Sequence, residues 1–85
     1  MAKYKIEFKK SAVKELNSIH KKDLKKIISK INDLADDPRP NESVKLTSRE
    51  QYRIRQGNYR ILYSIEDDRL VIFVVKIAHR KDVYK

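Results

Sequence analysis

The chain has 85 residues, no cysteine and a net charge of +9, with 21 lysines and arginines against 12 acidic residues. This length predicts a single domain over residues 1–85 with a small core, and the lack of cysteine excludes disulfides, thiolate nucleophiles and cysteine-based zinc sites. The longest apolar run, 70–75, is too short to span a membrane, and the first ten residues lack the apolar segment of a signal peptide. We therefore expect a cytoplasmic protein with no membrane partner.

The first half of the chain predicts a strand followed by two helices. Polar and apolar residues alternate over 3–9, which is typical of a half-buried strand. Apolar residues then recur at helical spacing over 12–19 and again over 24–35, with a short break between the two stretches. This pattern predicts a helical hairpin, and Pro38 ends it because proline cannot continue a helix. A loop follows, with a short extended piece at 44–46.

The last 35 residues predict an antiparallel β-meander. Three segments, 52–55, 59–65 and 69–77, are rich in β-branched and aromatic residues. Gly57, the only glycine in the chain, lies in the first turn, where a tight hairpin needs a positive φ. The second turn is predicted at 67–68. The fold class is therefore α+β, with an N-terminal strand, a helical hairpin and a meander whose helices pack on one face of the sheet.

These turns predict which residues lie opposite each other in the meander. In the first hairpin, Arg55 is expected opposite Arg60. In the second hairpin, a two-residue turn sets Tyr63 opposite Ile72 and Arg60 opposite Val75. Because side chains alternate between faces, each register also decides which residues share a face.

The predicted register brings Arg53, Arg55 and Arg60 to one face of adjacent strands. Like charges directly opposite each other destabilise a sheet by some tenths of a kcal/mol, and a bound anion would offset that repulsion. The arginine fork binds phosphate bidentately. The sequence therefore favours a phosphate site here, although an incidental basic edge also explains three arginines.

The predicted meander is apolar on both faces. Ile61 and Ile72 point one way, whereas Leu62, Phe73 and Val75 point the other. One helical hairpin covers only one face, so we expect the second apolar face to meet a partner.

Residues 79–84 hold most of the groups that are suited to acid–base chemistry. The two histidines without cysteine or paired acidic ligands give no credible metal site, and one glycine excludes a phosphate-binding glycine-rich loop. Surrounding cations lower the pKa of a phenol, so Tyr84 is a candidate base, and Arg80 is a candidate to stabilise the transition state. Such a set suits RNA, which brings its own 2′-hydroxyl nucleophile. A basic frayed tail is the alternative.

Two segments carry a family resemblance, YRIRQGNYRILY at 52–63 and IAHRKDVY at 77–84. With the order of the elements, they make the chain similar to the RelE branch of the RelE/ParE toxin superfamily over essentially its whole length. The resemblance implies the toxin of a type II toxin–antitoxin pair. It implies an endoribonuclease that cuts mRNA in the ribosomal A site by 2′-hydroxyl attack, without metal or cofactor, leaving a 2′,3′-cyclic phosphate and a 5′-hydroxyl.

The resemblance also assigns roles to residues. The candidate catalytic residues are Arg60, Arg80 and Tyr84. The candidate substrate-binding residues are Arg53 and Arg55, which match the basic pair of the family, together with His79, Lys81 and Lys45, which are further basic candidates of this chain. Well-known members carry lysines at the basic pair that Arg53 and Arg55 match, and arginine stays protonated at physiological pH, so neither can act as a general base. We expect both to clamp phosphate and to lower the pKa of Tyr84.

The resemblance further implies three partners: an acidic antitoxin that neutralises the toxin and binds operator DNA, the ribosome, and mRNA. Two other functions stay open. A ParE-like toxin inhibits DNA gyrase by binding, and a plain basic module binds RNA or the ribosome through counterion release. The Tyr84→Phe change separates chemistry from electrostatic binding.

Overall fold

The computed structural model of the chain describes residues 3–46 and 51–79. Within these residues the chain forms two helices and a five-stranded mixed sheet with the strand order β1-β5-β4-β3-β2. The elements are β1 (Lys5–Phe8), α1 (Lys10–Asn17), α2 (Lys21–Leu34), β2 (Val44–Lys45), β3 (Gln51–Gln56), β4 (Tyr59–Glu66) and β5 (Val71–His79). The α+β fold class is confirmed, with β1 parallel to β5 and the other pairs antiparallel. Neither described helix is long and apolar enough to cross a membrane.

The predicted register of the first hairpin is confirmed, although the turn has two residues instead of the four expected, because Gln56 pairs with Tyr59. Arg55 lies opposite Arg60, and Tyr52 lies opposite Tyr63. Gly57 has a φ of 60°, the left-handed conformation that the turn requires and that glycine adopts without steric cost.

The predicted register of the second hairpin is wrong. Glu66 pairs with Val71, so four residues form the turn, and Tyr63 lies opposite Val74 instead of Ile72. A β-bulge then inserts Val75 into β5, which places Ala78 opposite Arg60. The longer turn shifts the pairing by two residues and the bulge by one more.

The core lies between the helices and one face of the sheet. Its members come from both helices and from alternate positions of the strands, where they are almost completely inaccessible to solvent. The central ones are Ala12, Leu16, Ile27, Ile31, Leu34, Ile54, Ile61, Tyr63, Ile72 and Val74. Leu62, Phe73 and Val75 alternate with core positions and are half-buried, as expected for a second apolar face.

A polar cluster ties the proline-containing loop to the end of the sheet where β4 turns into β5. We call this cluster of Tyr4, Arg39, Tyr52 and Asp67 the Arg39 brace. Arg39 donates to both Asp67 carboxylate oxygens, at 2.8 and 3.3 Å, and its Nε donates to the Tyr52 hydroxyl at 3.0 Å. The Tyr4 hydroxyl donates to Asp67 Oδ1 at 2.6 Å. These bonds from Arg39 and Tyr4 hold the pKa of Asp67 below its usual range.

Candidate nucleic-acid interface

Three arginines lie together on the sheet face opposite the helices. Arg55 on β3 is directly opposite Arg60 on β4, and Arg53 is two positions from Arg55 on the same face. We call Arg53, Arg55 and Arg60 the arginine cluster. The intervening residues, such as Ile54 and Ile61, are buried against the helices, which is why the arginines face away from them.

The three arginines differ in exposure. Arg60 is only 8% exposed, Arg53 is half-buried and Arg55 is exposed. Directly opposite residues in a sheet have Cβ atoms about 5 Å apart, so the Arg55 and Arg60 side chains, each with a permanent positive charge, begin at neighbouring positions. Within residues 3–46 and 51–79, no carboxylate forms an ion pair with Arg53 or Arg55. This arrangement favours an anionic ligand that several guanidinium groups share.

His79 and Lys45 are not brought to the face of the arginine cluster. His79 lies opposite Tyr59 in the sheet, and the two rings meet edge to face with centroids 5.1 Å apart. Lys45 lies opposite Tyr52, whose side chain belongs to the helix-covered core. Both residues therefore lie on the other face of the sheet. The remaining candidates, Arg80, Lys81 and Tyr84, are outside the described residues.

Glu15 is a residue of this region that sequence reasoning missed. Its Oε1 accepts a hydrogen bond from the Ile77 N–H, and its Oε2 accepts one from Lys76 Nζ, both at 2.9 Å. A cavity of about 280 Å³ adjoins these contacts, with Glu15, Tyr59 and His79 among its lining residues. The sequence carries no signal for this contact, because residues 15 and 77 are far apart in the chain and no spacing rule connects them.

No group of three or more acidic or histidine side chains in the described parts of the chain is arranged to hold a metal ion. The charged groups that the candidate interface gathers in these parts are the guanidinium groups of the arginine cluster.

The comparisons with known proteins place this chain in a class. The family model described as the ParE toxin of the type II toxin–antitoxin system, parDE, matches residues 6–84, which is nearly the whole chain. The chain belongs to this family of type II toxin–antitoxin toxins.

Individual relatives carry the RelE name. A protein named putative toxin RelE1, from Methanocaldococcus jannaschii, is 32% identical over 87 residues that cover 98% of this chain and 97% of that protein. The RelE–RelB complex of Pyrococcus horikoshii contains a chain with a TM-score of 0.80 and 29% identity, covering 94% of this chain and 97% of that one. An E. coli RelE mutant in complex with an antitoxin RelBc peptide gives a TM-score of 0.78 at 28% identity, covering 99% and 92%. The protein is therefore a RelE-like type II toxin, as the sequence motifs predicted.

Proposed function

We propose that this toxin is an endoribonuclease that cuts mRNA in the ribosomal A site and thereby stops translation. The observation that supports this most is the arginine cluster, in which Arg55 faces Arg60 on the sheet face that the helices leave open. A polyanion is the ligand that offsets this repulsion, and RNA presents several phosphates within reach of neighbouring strands.

The proposed reaction needs few protein groups. The 2′-oxygen attacks the adjacent phosphorus while the P–O5′ bond breaks, which leaves a 2′,3′-cyclic phosphate and a 5′-hydroxyl. Tyr84 takes the proton of the 2′-hydroxyl, and Arg80 stabilises the negative charge on the 5′-oxygen, which takes a proton from water as it leaves. Arg60 stabilises the charge that builds on the phosphoryl oxygens. Arg53 and Arg55 hold the phosphates on either side, since arginine cannot act as the base.

The other candidate contacts are assigned to RNA beyond the scissile phosphate. Lys81 continues the basic segment that contains Arg80. His79 and Lys45 lie on the helix side of the sheet, away from the arginine cluster, so they would bind neighbouring nucleotides or the ribosome. No metal ion or cofactor enters this scheme.

Dependence on the ribosome follows from the small number of acid–base groups. A ribosome that holds the codon in an in-line geometry reduces the entropic part of the barrier, by as much as several kcal/mol. The protein then has to supply mainly charge stabilisation and one base.

The same proposal includes an antitoxin as partner. RelE chains of P. horikoshii and E. coli are known in complexes with RelB or a RelB peptide. Here the net charge of +9 and the half-buried Leu62, Phe73 and Val75 favour an acidic segment that folds on binding and buries apolar area. The antitoxin would also link the toxin to operator DNA.

The test uses purified full-length chain with mRNA-programmed ribosomes and primer extension. We expect cuts within the A-site codon, none in the same mRNA without ribosomes, and loss of cutting with Tyr84→Phe. Cutting of naked mRNA at the same sites would contradict the ribosome requirement. Loss of activity in EDTA, with ribosomes kept intact, would contradict a metal-independent reaction. Full activity of Tyr84→Phe in blocking translation, without cuts, would favour the plain RNA-binding module.

Inhibition of DNA gyrase is the second candidate function, because the matching family model is described as the ParE toxin. A supercoiling assay with purified gyrase decides between the two. We expect supercoiling to continue at toxin concentrations that stop translation, and gyrase inhibition without mRNA cuts would overturn the proposal.

A further inference from the structure

The last part of β5 extends beyond the strand that pairs with it on one side. β1 pairs with β5 only as far as Val74, which accepts a hydrogen bond from the Lys9 N–H at 2.9 Å. Residues 75–79 continue beside β4, and no strand within residues 3–46 and 51–79 pairs with their other edge. Backbone N–H groups on such an edge need partners from elsewhere.

Glu15 of α1 supplies that partner. Its carboxylate accepts from the Ile77 backbone N–H through one oxygen and from the Lys76 side chain through the other, both at 2.9 Å. The Glu15 side chain is 28% exposed and Ile77 is buried, so the bond to Ile77 is partly shielded from water, whereas the bond to Lys76 is exposed. Hydrogen bonds to a carboxylate are about twice as strong as neutral ones. Helix α1 thus supplies the hydrogen-bond acceptor for residues 76 and 77, as the neighbouring strand β1 does for the earlier part of β5.

The contact between Glu15 and β5 matters for function because of its position, directly after the bulge in the strand. The bulge at Val75 comes immediately before Lys76, and a bulged strand has more than one possible register with its neighbour. The observed register after the bulge puts Ala78 opposite Arg60. A slip of one residue would change which side chain flanks Arg60 and would turn every later side chain to the other face.

We propose that Glu15 is a positioning residue of the toxin: its carboxylate holds β5 in the register that follows the bulge. Through this register it sets the point from which the chain continues to Arg80 and Tyr84. The inference rests on the proposed endoribonuclease function for its kinetic consequence. The described contacts of Glu15 are with Lys76 and Ile77, and not with the arginine cluster. Misplacement of catalytic groups by about 1 Å reduces rates by about 100-fold. Loss of the two Glu15 hydrogen bonds to β5, which we call the Glu15 clamp, should therefore have a large effect on the cleavage rate.

Two substitutions separate the parts of the clamp. Glu15→Ala removes both bonds and suits the helix, because alanine has the best helix propensity. Glu15→Gln keeps a carbonyl oxygen for the Ile77 N–H and loses only the charge that pairs with Lys76. The matched control is Glu42→Ala, which removes a glutamate that pairs with Lys30 at 2.8 Å and has no contact with β5 among the bonds described.

The kinetic readout is single-turnover cleavage on programmed ribosomes at a temperature where circular dichroism shows every variant folded. Glu15→Ala should lower the rate at saturating ribosomes by about tenfold or more, with the half-saturating ribosome concentration within about twofold of wild type. Glu15→Gln should recover most of the rate, and Glu42→Ala should match wild type. The inference is overturned if Glu15→Ala and Glu42→Ala behave alike, or if Glu15→Gln loses as much as Glu15→Ala.

A second readout does not depend on activity. Amide hydrogen exchange of the free toxin should show faster exchange at Ile77 in Glu15→Ala than in wild type, while Ile61 in the neighbouring strand keeps its protection. Unchanged protection at Ile77 would overturn the clamp itself. If wild type cuts no RNA, the proposed function fails while the exchange result still decides whether Glu15 holds β5.

Discussion

The two ends of the sheet differ in how their charged side chains are paired: one end pairs opposite charges, and the other places like charges opposite each other. At the end where β4 turns into β5, Arg39 donates two hydrogen bonds to Asp67, and Tyr4 and Tyr52 complete the Arg39 brace. At the end near Gly57, Arg55 lies directly opposite Arg60. The first end follows the ordinary rules for stability, whereas the second breaks the rule against facing like charges. Such an exception agrees with the binding role that we propose for the arginine cluster, because functional sites carry residues that folding alone does not favour.

The largest effect that separates the two ends should come from removing one arginine at each. Arg60→Ala should lower the single-turnover rate of RNA cleavage by about 100-fold or more, because it removes charge stabilisation in the transition state. Arg69→Ala is the matched control, since Arg69 is exposed and pairs with Glu66 at 2.9 Å near the Arg39 brace. Arg60→Lys should retain part of the activity. Equal cleavage rates for the two alanine variants would mean that Arg60 does not stabilise the transition state.

A smaller, purely structural effect is expected near the Arg39 brace at high pH. The Tyr63 hydroxyl donates to the Pro38 carbonyl at 2.8 Å, and burial raises the pKa of Tyr63 to about 12. The unfolded chain therefore loses this proton first, and the stability that the neutral phenol provides is lost as pH rises from about 10 to 12. A two-unit difference corresponds to about 2 to 3 kcal/mol.

The measurement is urea unfolding of wild type and Tyr63→Phe between pH 8 and 12. The free-energy difference between the two should be constant up to about pH 10 and should then shift in favour of Tyr63→Phe. A difference that stays constant up to pH 12 would contradict a buried Tyr63 hydroxyl.

The smallest expected effect is a change in stability that tests the repulsion between Arg55 and Arg60. Arg55→Thr should raise the free energy of unfolding by some tenths of a kcal/mol, because it removes the charge opposite Arg60. Arg53→Thr should give no such gain, because Arg53 lies opposite Leu62. Both variants should weaken RNA binding and reduce its dependence on salt. A loss of stability in Arg55→Thr, measured by the same urea unfolding at pH 7, would mean that the two guanidinium groups do not oppose each other.

The sequence was most informative where local chemistry decides the structure. Alternating residues on both sides of Gly57 were sufficient to predict the first hairpin, and with it the shared face of the arginine cluster. The second hairpin was misread because Leu70 adopts a φ of 53°, a conformation that leucine does not signal. The resulting two-residue shift left the faces unchanged, so the second apolar face was still predicted correctly.

Contacts between distant parts of the chain could not be predicted in this way. Nothing in the sequence pairs Arg39 with Asp67, or Glu15 with Ile77, because each contact depends on how the completed sheet meets a loop or a helix. His79 and Lys45 were grouped with the arginines by their position in the chain. The bulge at Val75 reverses the alternation along β5 and so turns His79 to the helix-covered face, and Lys45 lies on that face because it pairs with the core residue Tyr52.

We propose that the arginine cluster serves a reaction in which RNA supplies its own nucleophile. The most direct measurement uses programmed ribosomes and two mRNAs that differ by one atom, a 2′-hydroxyl or a 2′-hydrogen at the nucleotide before the scissile phosphate. We expect the toxin to cut the first mRNA, leaving a 2′,3′-cyclic phosphate, and to leave the same bond intact in the second. Equal cutting of both mRNAs would contradict it, because the nucleophile would then come from outside the RNA.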